Sequence, residues 1–213
     1  DAPLFPNTVY LGKGTSLFFL GIFSSFLFFW YFFLSFLFSY FFVMVHIDYY
    51  LVIDFECTCE EVRRTDFHHE IIEFPCVLVD AEKREIVATF REYVRPVENP
   101  KLSKFCTKLT GITQDKVDEA DILEDVINHF FNWANSYGIF GEKNGLFCTD
   151  GPWDMECFLF RECHRKGINF PTYFQKWVDV RHYFKIYTGN ERRKNIAGML
   201  AELGWNFQGN QHS

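Results

Sequence analysis

The stretch Tyr49-Tyr50-Leu51-Val52-Ile53-Asp54-Phe55-Glu56 carries both the main fold signal and the first chemical signal. Its aromatic and β-branched residues form an almost unbroken apolar run, which predicts a central β-strand. Asp54 and Glu56 interrupt that run two residues apart, so both side chains project from the same face of the strand. Two like charges held side by side away from water are costly unless a cation joins them. The pattern therefore indicates either a divalent-metal site or a solvated strand end.

The residues around this strand predict an α/β domain. Two further strands, at 70–80 and 85–94, form a hairpin around the turn at 81–84. Helices and a short strand then alternate along the rest of the chain. The predicted strand is 146–149, and the predicted helices are 103–109, 121–137, 153–166, 174–183 and 195–203. This order implies a mixed β-sheet flanked by helices.

Asp154 is a third carboxylate of interest, in the stretch Thr149-Asp150-Gly151-Pro152-Trp153-Asp154-Met155. A predicted strand ends there in a Gly-Pro turn, and a helix begins with Asp154 in its first turn. A carboxylate in that position is stabilised by the helix dipole, so Asp154 is either a simple cap or a further ligand. Carboxylate oxygens are the ligands that suit Mg²⁺ and Mn²⁺.

Charge and cysteine content narrow the class of protein. The net charge is −7, and residues 1–45 contribute nothing to it because Asp1 and Lys13 cancel. A protein that holds nucleic acid mainly by neutralising phosphates is expected to be basic, so the charge argues against generic nucleic-acid binding. Seven cysteines without a Cys-x-x-Cys pair favour reduced thiols and an intracellular location, in cytoplasm or nucleus.

Residues 1–45 are predicted to be a low-complexity hydrophobic leader, separate from a domain at 46–213. Ser16 to Val45 contains no charged side chain and exceeds the roughly 20 residues that span a bilayer. It predicts a hydrophobic N-terminal helix, a candidate transmembrane anchor that makes membrane contact and does not pack into the domain core. The bias toward Phe, Leu, Ser and Tyr, without a flanking basic cluster, equally favours translated non-coding sequence.

Four stretches, in the correct order, resemble the Asp-Glu-Asp-Asp-His (DEDDh) 3′–5′ exonucleases. Asp54 to Cys59 is similar to the first motif, Asp-Phe-Glu-Ala-Thr-Cys, with Cys57 in place of the alanine. Thr149 to Met155 resembles the second motif, and Phe105 to Gln114 resembles the segment that holds substrate. Gly209 to Ser213 resembles the start of the third motif. The residues of these motifs are most similar to those of the branch that contains the histone-mRNA 3′ exonuclease and the siRNA-degrading enhanced-RNAi exoribonucleases.

The resemblance implies an RNase H-like fold and a 3′–5′ exoribonuclease that removes nucleoside 5′-monophosphates from RNA 3′ ends by two-metal-ion hydrolysis. Asp54, Glu56 and Asp154 would bind two Mg²⁺ or Mn²⁺ ions, and His212 would be the general base. Trp153 is expected in the core beneath the site, with base stacking as the alternative. The residues predicted to bind substrate are Phe55, Leu109, Thr110, Gly111, Ile112 and Trp153.

The family's third motif runs Gly-Arg-x-His-Ser/Cys-Gly-Leu-Asp-Asp, so its last aspartate would lie beyond Ser213. Residues 46–213 are therefore expected to be an exonuclease domain incomplete at its C-terminus, with little activity until that ligand is supplied. The expected substrate is a single-stranded RNA 3′ end or a short duplex overhang, and the protein is expected to be a monomer. The alternatives are a catalytically deficient RNA-binding protein and a DNA-directed exonuclease on the same fold.

Overall fold

The computed structural model describes residues 46–62 and 65–206. From Ile47 onward, the described residues belong to one compact unit. The leader, including Ser16 to Val45, lies outside the described residues, so its helix, its separation from the domain and its membrane contact stay predictions. Within the described ranges, no helix is both long enough and apolar enough to cross a membrane.

Within the described residues, a mixed six-stranded sheet forms the centre of the unit. β1 (Tyr49–Ile53) pairs antiparallel with β3 (Ile71–Asp80), whose other side pairs antiparallel with β4 (Ile86–Tyr93). β1 also pairs in parallel with β5 (Gly145–Thr149), which pairs in parallel with β6 (Trp177–Asp179). The predicted hairpin of β3 and β4 and the predicted α/β class are therefore confirmed.

The strand predicted over residues 49–56 is interrupted in the structure at its acidic positions. β1 ends before Asp54, and a second short strand, β2 (Glu56–Cys57), continues along β3 with a register shift. The side chains still alternate, because Phe55 is buried whereas Asp54 is exposed and Glu56 is half-buried. The two carboxylates thus share a face, and the break in pairing lets the backbone between them bind a group from another element.

The sequence predicts one helix over residues 174–183, and this prediction is wrong. A 3₁₀ turn, Thr172–Gln175, leads into β6, and a regular helix starts only at Val180. Trp177 and Val178 are buried because they pair in parallel with β5. This pairing with a strand that is distant in the sequence overrides the local preference.

The other predicted helices are present. The helices that correspond to these predictions are α1 Lys104–Thr110, α3 Leu123–Ser136, α4 Arg161–Lys166 and α6 Ile196–Glu202. Two further helices are α2 Gln114–Asp118, which the pattern does not predict, and α5 Val180–Thr188, the regular helix that follows β6. The helix predicted over 153–166 begins as a π-helix, Trp153–Phe160, and continues as α4. π-helical segments are rare and are frequently found at functional sites.

The core lies where α3 covers the sheet. Phe130 of α3 is fully buried, and its ring centre is 5.1 Å from that of Phe74 on β3. Phe74 also contacts Phe55 edge-on at 4.7 Å, so the core fixes the peptide between the two acidic residues. Gly145 allows β5 to approach β1 closely, since a Cβ there would lie 2.6 Å from the Leu51 side chain.

Candidate active site

A cavity of about 440 Å³ opens where β1 and β5 end, beside the start of the π-helix. Three carboxylates that the sequence singles out, Asp54, Glu56 and Asp154, line this one cavity. Asp54 lies in the break between β1 and β2, Glu56 begins β2, and Asp154 lies in the first turn of the π-helix. The structure therefore brings together residues that are about a hundred positions apart in the chain.

Asp154 is fixed by a hydrogen bond to the strand break. Its side chain is only 4% exposed, and its Oδ1 accepts the backbone N–H of Phe55 at 2.8 Å. That N–H follows Asp54 directly, so the bond holds the Asp154 carboxylate beside the peptide that carries the first acidic residue. The Gly-Pro turn before the helix aims Asp154 inward, since Gly151 has φ +96°, a value that residues with a Cβ rarely adopt.

The carboxylates of the cavity raise one another's pKa. The pKa of Glu56 is raised to about 7 by burial and by the nearby charges of Asp54 and Glu73. Burial and the charge of Asp54 raise the pKa of Asp154 to about 7, although the Phe55 N–H opposes the shift. Clustered carboxylates that disfavour one another's ionisation are a donor set that a hard divalent cation satisfies.

The three carboxylates line one cavity, but their side chains do not form a ready-made coordination group. Across residues 46–62 and 65–206, no group of three or more His, Cys, Asp or Glu side chains is placed to hold a metal. Asp54, Glu56 and Asp154 share a cavity, and their coordination of a metal stays a prediction.

The predicted substrate segment divides between the cavity and the core. Ser103 caps α1 by accepting the Cys106 N–H, and Gly111 ends the helix with φ +72°. Leu109 is 40% exposed and lines the cavity together with Thr110. Ile112, by contrast, is buried in a small apolar cluster, so its side chain supports the segment from below in this conformation.

Trp153 and Phe55 occupy the opposite environments to those expected of them. The expectation that Trp153 is a core residue is wrong, because its side chain is 52% exposed and lines the cavity. Trp153 follows Pro152 at the helix start, on the solvent side, and its ring is 6.0 Å from that of Phe158. The Phe55 ring is buried in the core, so the polar group that Phe55 presents near the carboxylates is its backbone N–H.

Sequence reasoning missed an arginine at the cavity wall. Arg181, near the start of α5, lines the cavity and donates from Nε and Nη2 to the two carboxylate oxygens of Asp150. This pairing raises the pKa of Arg181. Asp150 belongs to a recognised motif, but Arg181 lies in the segment predicted as continuous helix, and no spacing signal marks it.

His69 is a second residue of the cavity wall that was not assigned to the site. Its Nδ1–H donates to the carbonyl oxygen of Thr58 at 2.7 Å, and its ring packs edge-on against Phe67 and Phe158. The hydrogen bond fixes the ring orientation and places an imidazole on the wall that holds the carboxylates.

His212, the predicted general base, lies outside the described residues, so its role stays a prediction. The same holds for the rest of the third motif, Gly209 to Ser213.

Comparison with known proteins gives concordant matches. A family described as Exonuclease matches residues 51–213. The 3′-5′ exoribonuclease 1 of Rattus norvegicus is 41% identical over 169 residues, which are 79% of this chain and 49% of that protein. The chain thus spans about half the length of that relative.

Solved structures show the same architecture. The nuclease domain of 3′hExo, described as a DEDDh family member bound to rAMP, has 39% identity and a TM-score of 0.76. The match covers 79% of this chain and 84% of that one. A structure of a 3′-exonuclease that recognises the histone mRNA stem-loop has 38% identity and a TM-score of 0.75, over 78% and 58% of the two chains. The predicted RNase H-like fold is therefore confirmed.

Proposed function

This chain belongs to the exonuclease family, and we propose that it is a metal-dependent 3′–5′ exoribonuclease that releases nucleoside 5′-monophosphates from RNA 3′ ends. The observation that carries the proposal is the convergence of Asp54, Glu56 and Asp154 on one cavity. The names of its relatives support the direction of cleavage and the substrate, since one is a 3′-5′ exoribonuclease and one binds rAMP.

Asp54, Glu56 and Asp154 would hold Mg²⁺ or Mn²⁺ in this site. Bound ions supply the charge that activates water and stabilises the leaving oxygen in phosphodiester hydrolysis. The donor set fits such ions because all three side chains offer carboxylate oxygens, the ligands preferred by hard cations. The Phe55 N–H fixes the orientation of the Asp154 carboxylate.

The remaining wall residues fit a nucleotide at the end of a strand. Leu109 and Trp153 present exposed apolar surface to the cavity, on which a base can stack. Arg181 is held in place by Asp150, so its guanidinium offers a preoriented cation for a phosphate. His212 is the proposed base that takes the proton from the attacking water, since imidazole titrates near neutral pH.

The test is release of mononucleotides from 3′-labelled RNA in the presence of Mg²⁺ or Mn²⁺. It is run on this chain and on one that carries the third motif through its last aspartate, because the resemblance assigns a ligand there. We expect turnover in the longer form and a loss of roughly 100-fold or more in Asp54→Ala, since each ligand is needed to hold the ions. Asp125→Asn, an exposed change on α3, is the matched control and should retain the rate.

The outcomes separate the proposal from its alternatives. Binding of RNA without turnover in either form would favour the catalytically deficient protein. Faster hydrolysis of a DNA strand of the same sequence would favour the DNA-directed exonuclease. Turnover that Asp54→Ala leaves intact would contradict the proposed site.

An intracellular location is part of the proposal, and all seven cysteines are free thiols in agreement with it. A monomeric state and membrane contact through residues 16–45 are retained as predictions only. Gel filtration with light scattering and carbonate extraction of membranes would test them.

A further inference from the structure

We propose that the RNA strand leaves the active-site cavity along α1, and that three lysines on this helix and just before it hold its phosphates. These residues, Lys101, Lys104 and Lys108, are called the lysine stripe. The inference rests on the proposed function and deepens it, because it assigns a path to the nucleotides that lie 5′ of the one in the cavity.

The lysine stripe is a local reversal of charge in an acidic chain. The net charge of the protein is −7, yet residues 101–110 carry three lysines and no acidic residue. All three lysines are exposed. Binding of a phosphate backbone depends on cations that neutralise it, so an acidic protein is expected to bind the strand where such cations are grouped.

The lysines of the stripe are available to a ligand. Within the described part of the chain, none of the three forms an ion pair or a side-chain hydrogen bond. Carboxylates already hold several other cations, namely Lys83, Arg91, Lys143, Arg165, Lys166, Arg181 and Lys194. A phosphate that binds the stripe therefore does not have to displace a carboxylate of the protein.

The geometry of α1 connects the stripe to the cavity. Lys104 and Lys108 lie four residues apart, so they share one helix face and are separated by about 6 Å along the axis. Cys106 and Thr110 are the buried residues of α1, and the lysines lie on the opposite face. Leu109 directly follows Lys108 and lines the cavity. A strand whose last nucleotide contacts Leu109 can thus continue over the two lysines.

Both ends of α1 are held in place by hydrogen bonds. At its start, the Ser103 Oγ–H donates to the carbonyl oxygen of Cys59 at 2.7 Å, and the same Oγ accepts the Cys106 N–H at 2.9 Å. At its end, the Gly111 N–H donates to the carbonyl oxygen of Thr107 at 2.9 Å. The helix therefore presents the stripe in a fixed direction, and the flexible lysine stems bring the charges to the phosphates.

A second cationic segment borders the cavity on another wall and offers a competing path. Arg192 and Arg193 precede Asn195, which lines the cavity. Glu191 adjoins these arginines in the chain, and Lys194 of the same segment is paired with Glu202. The path along α1 is favoured because no acidic residue interrupts the lysine stripe.

The experiment measures binding of a 5′-fluorescein-labelled RNA of about 12 nucleotides by anisotropy, in chelator so that no metal-dependent cleavage occurs. Lys104→Gln/Lys108→Gln should weaken binding roughly 10-fold at about 50 mM salt. It should also reduce the slope of log affinity against log salt by about 1.4, since each phosphate contact of a single strand contributes roughly 0.7. Glutamine keeps the helix propensity of lysine, so α1 should stay folded. Affinity for adenosine 5′-monophosphate, measured with Mn²⁺, should be unchanged because that nucleotide occupies the cavity alone.

Two variants serve as controls for charge and for position. Lys104→Arg/Lys108→Arg keeps both charges and should retain the RNA affinity. Lys83→Gln/Lys176→Gln removes the same charge elsewhere, since Lys83 lies in the turn between β3 and β4 and Lys176 directly precedes β6. Both positions lie at the end of the sheet opposite the cavity, so this variant should bind RNA like the parent.

The results separate the path from the proposed function. Unchanged RNA affinity in Lys104→Gln/Lys108→Gln, or an equal loss in the Lys83→Gln/Lys176→Gln control, would overturn the lysine stripe. A loss confined to Arg192→Gln/Arg193→Gln would place the strand on the other wall and overturn it as well. RNA binding that depends on the stripe, in a protein that neither binds the mononucleotide nor turns over in the longer form, would support the stripe and count against the proposed exonuclease.

Discussion

At the scale of single residues, the acidic cavity is held together against electrostatic repulsion. Burial raises the pKa of both Glu56 and Asp154, and the charge of Asp54 adds to the effect on each. The backbone N–H of Phe55 donates to the Asp154 carboxylate and favours its ionised form. Such a site is strained when metal-free, which is typical of functional sites that trade stability for activity.

Asp54→Asn should therefore stabilise the metal-free protein while it abolishes turnover. A carboxyl whose folded pKa is raised carries no penalty below its unfolded pKa near 4.5, and the penalty grows as pH rises through about 7. Removing the Asp54 charge reduces this penalty, by an amount on the order of 1 kcal/mol after solvent screening. Thermal unfolding in chelator should show a higher melting temperature for the variant at pH 8 and little difference at pH 4.

An unchanged or lower melting temperature for Asp54→Asn at pH 8 would contradict this electrostatic description. Asp125→Asn serves as the control for loss of a carboxylate outside the cavity.

At the scale of elements, a buried ion cluster fixes α4 against the sheet. Lys166 of α4 donates to Glu70 at 2.7 Å and to Glu162 at 2.5 Å, and both carboxylates are almost fully buried. Burial raises the pKa of Glu162, whereas for Glu70 burial is outweighed by backbone N–H donors from residues 97–99, and its pKa is lowered. Glu162 also accepts the Ile71 N–H at 2.7 Å, so the cluster joins α4 to the start of β3.

Lys166→Met should destabilise the fold by about 3–5 kcal/mol, because it leaves two buried carboxylates without their cation. Urea unfolding of the variant measures the loss, and Lys101→Met, a change at an exposed lysine, is the matched control. A loss below about 1 kcal/mol would show that the carboxylates are satisfied by backbone donors alone.

At the scale of the whole molecule, the sequence predicts those features of the fold that depend on residues close together in the chain. The hairpin of β3 and β4 follows from two apolar runs around a turn, and the shared face of Asp54 and Glu56 follows from strand alternation. β6 was missed because its three residues are a strand only through pairing with β5. Arg181 was missed for the same reason, since α5, the helix that brings it to Asp150, starts directly after β6.

Other features of the site could not be predicted from local sequence patterns. Spacing alone left Asp154 as either a cap or a ligand, and only the fold places its carboxylate on the Phe55 N–H. The exposure of Trp153 was not predictable from its type, because a tryptophan is expected in a core as readily as on a binding wall.

The central claim is that Asp54, Glu56 and Asp154 form one divalent-metal site beside a nucleotide-binding wall. The most direct test is a crystal structure with Mn²⁺ and adenosine 5′-monophosphate, with Mn²⁺ located by anomalous scattering. We predict a peak bonded to oxygens of these carboxylates at about 2.0–2.6 Å, with the base against Leu109 and Trp153. A saturating Mn²⁺ soak that leaves the three carboxylates unligated, or that places the ion elsewhere, would contradict the claim.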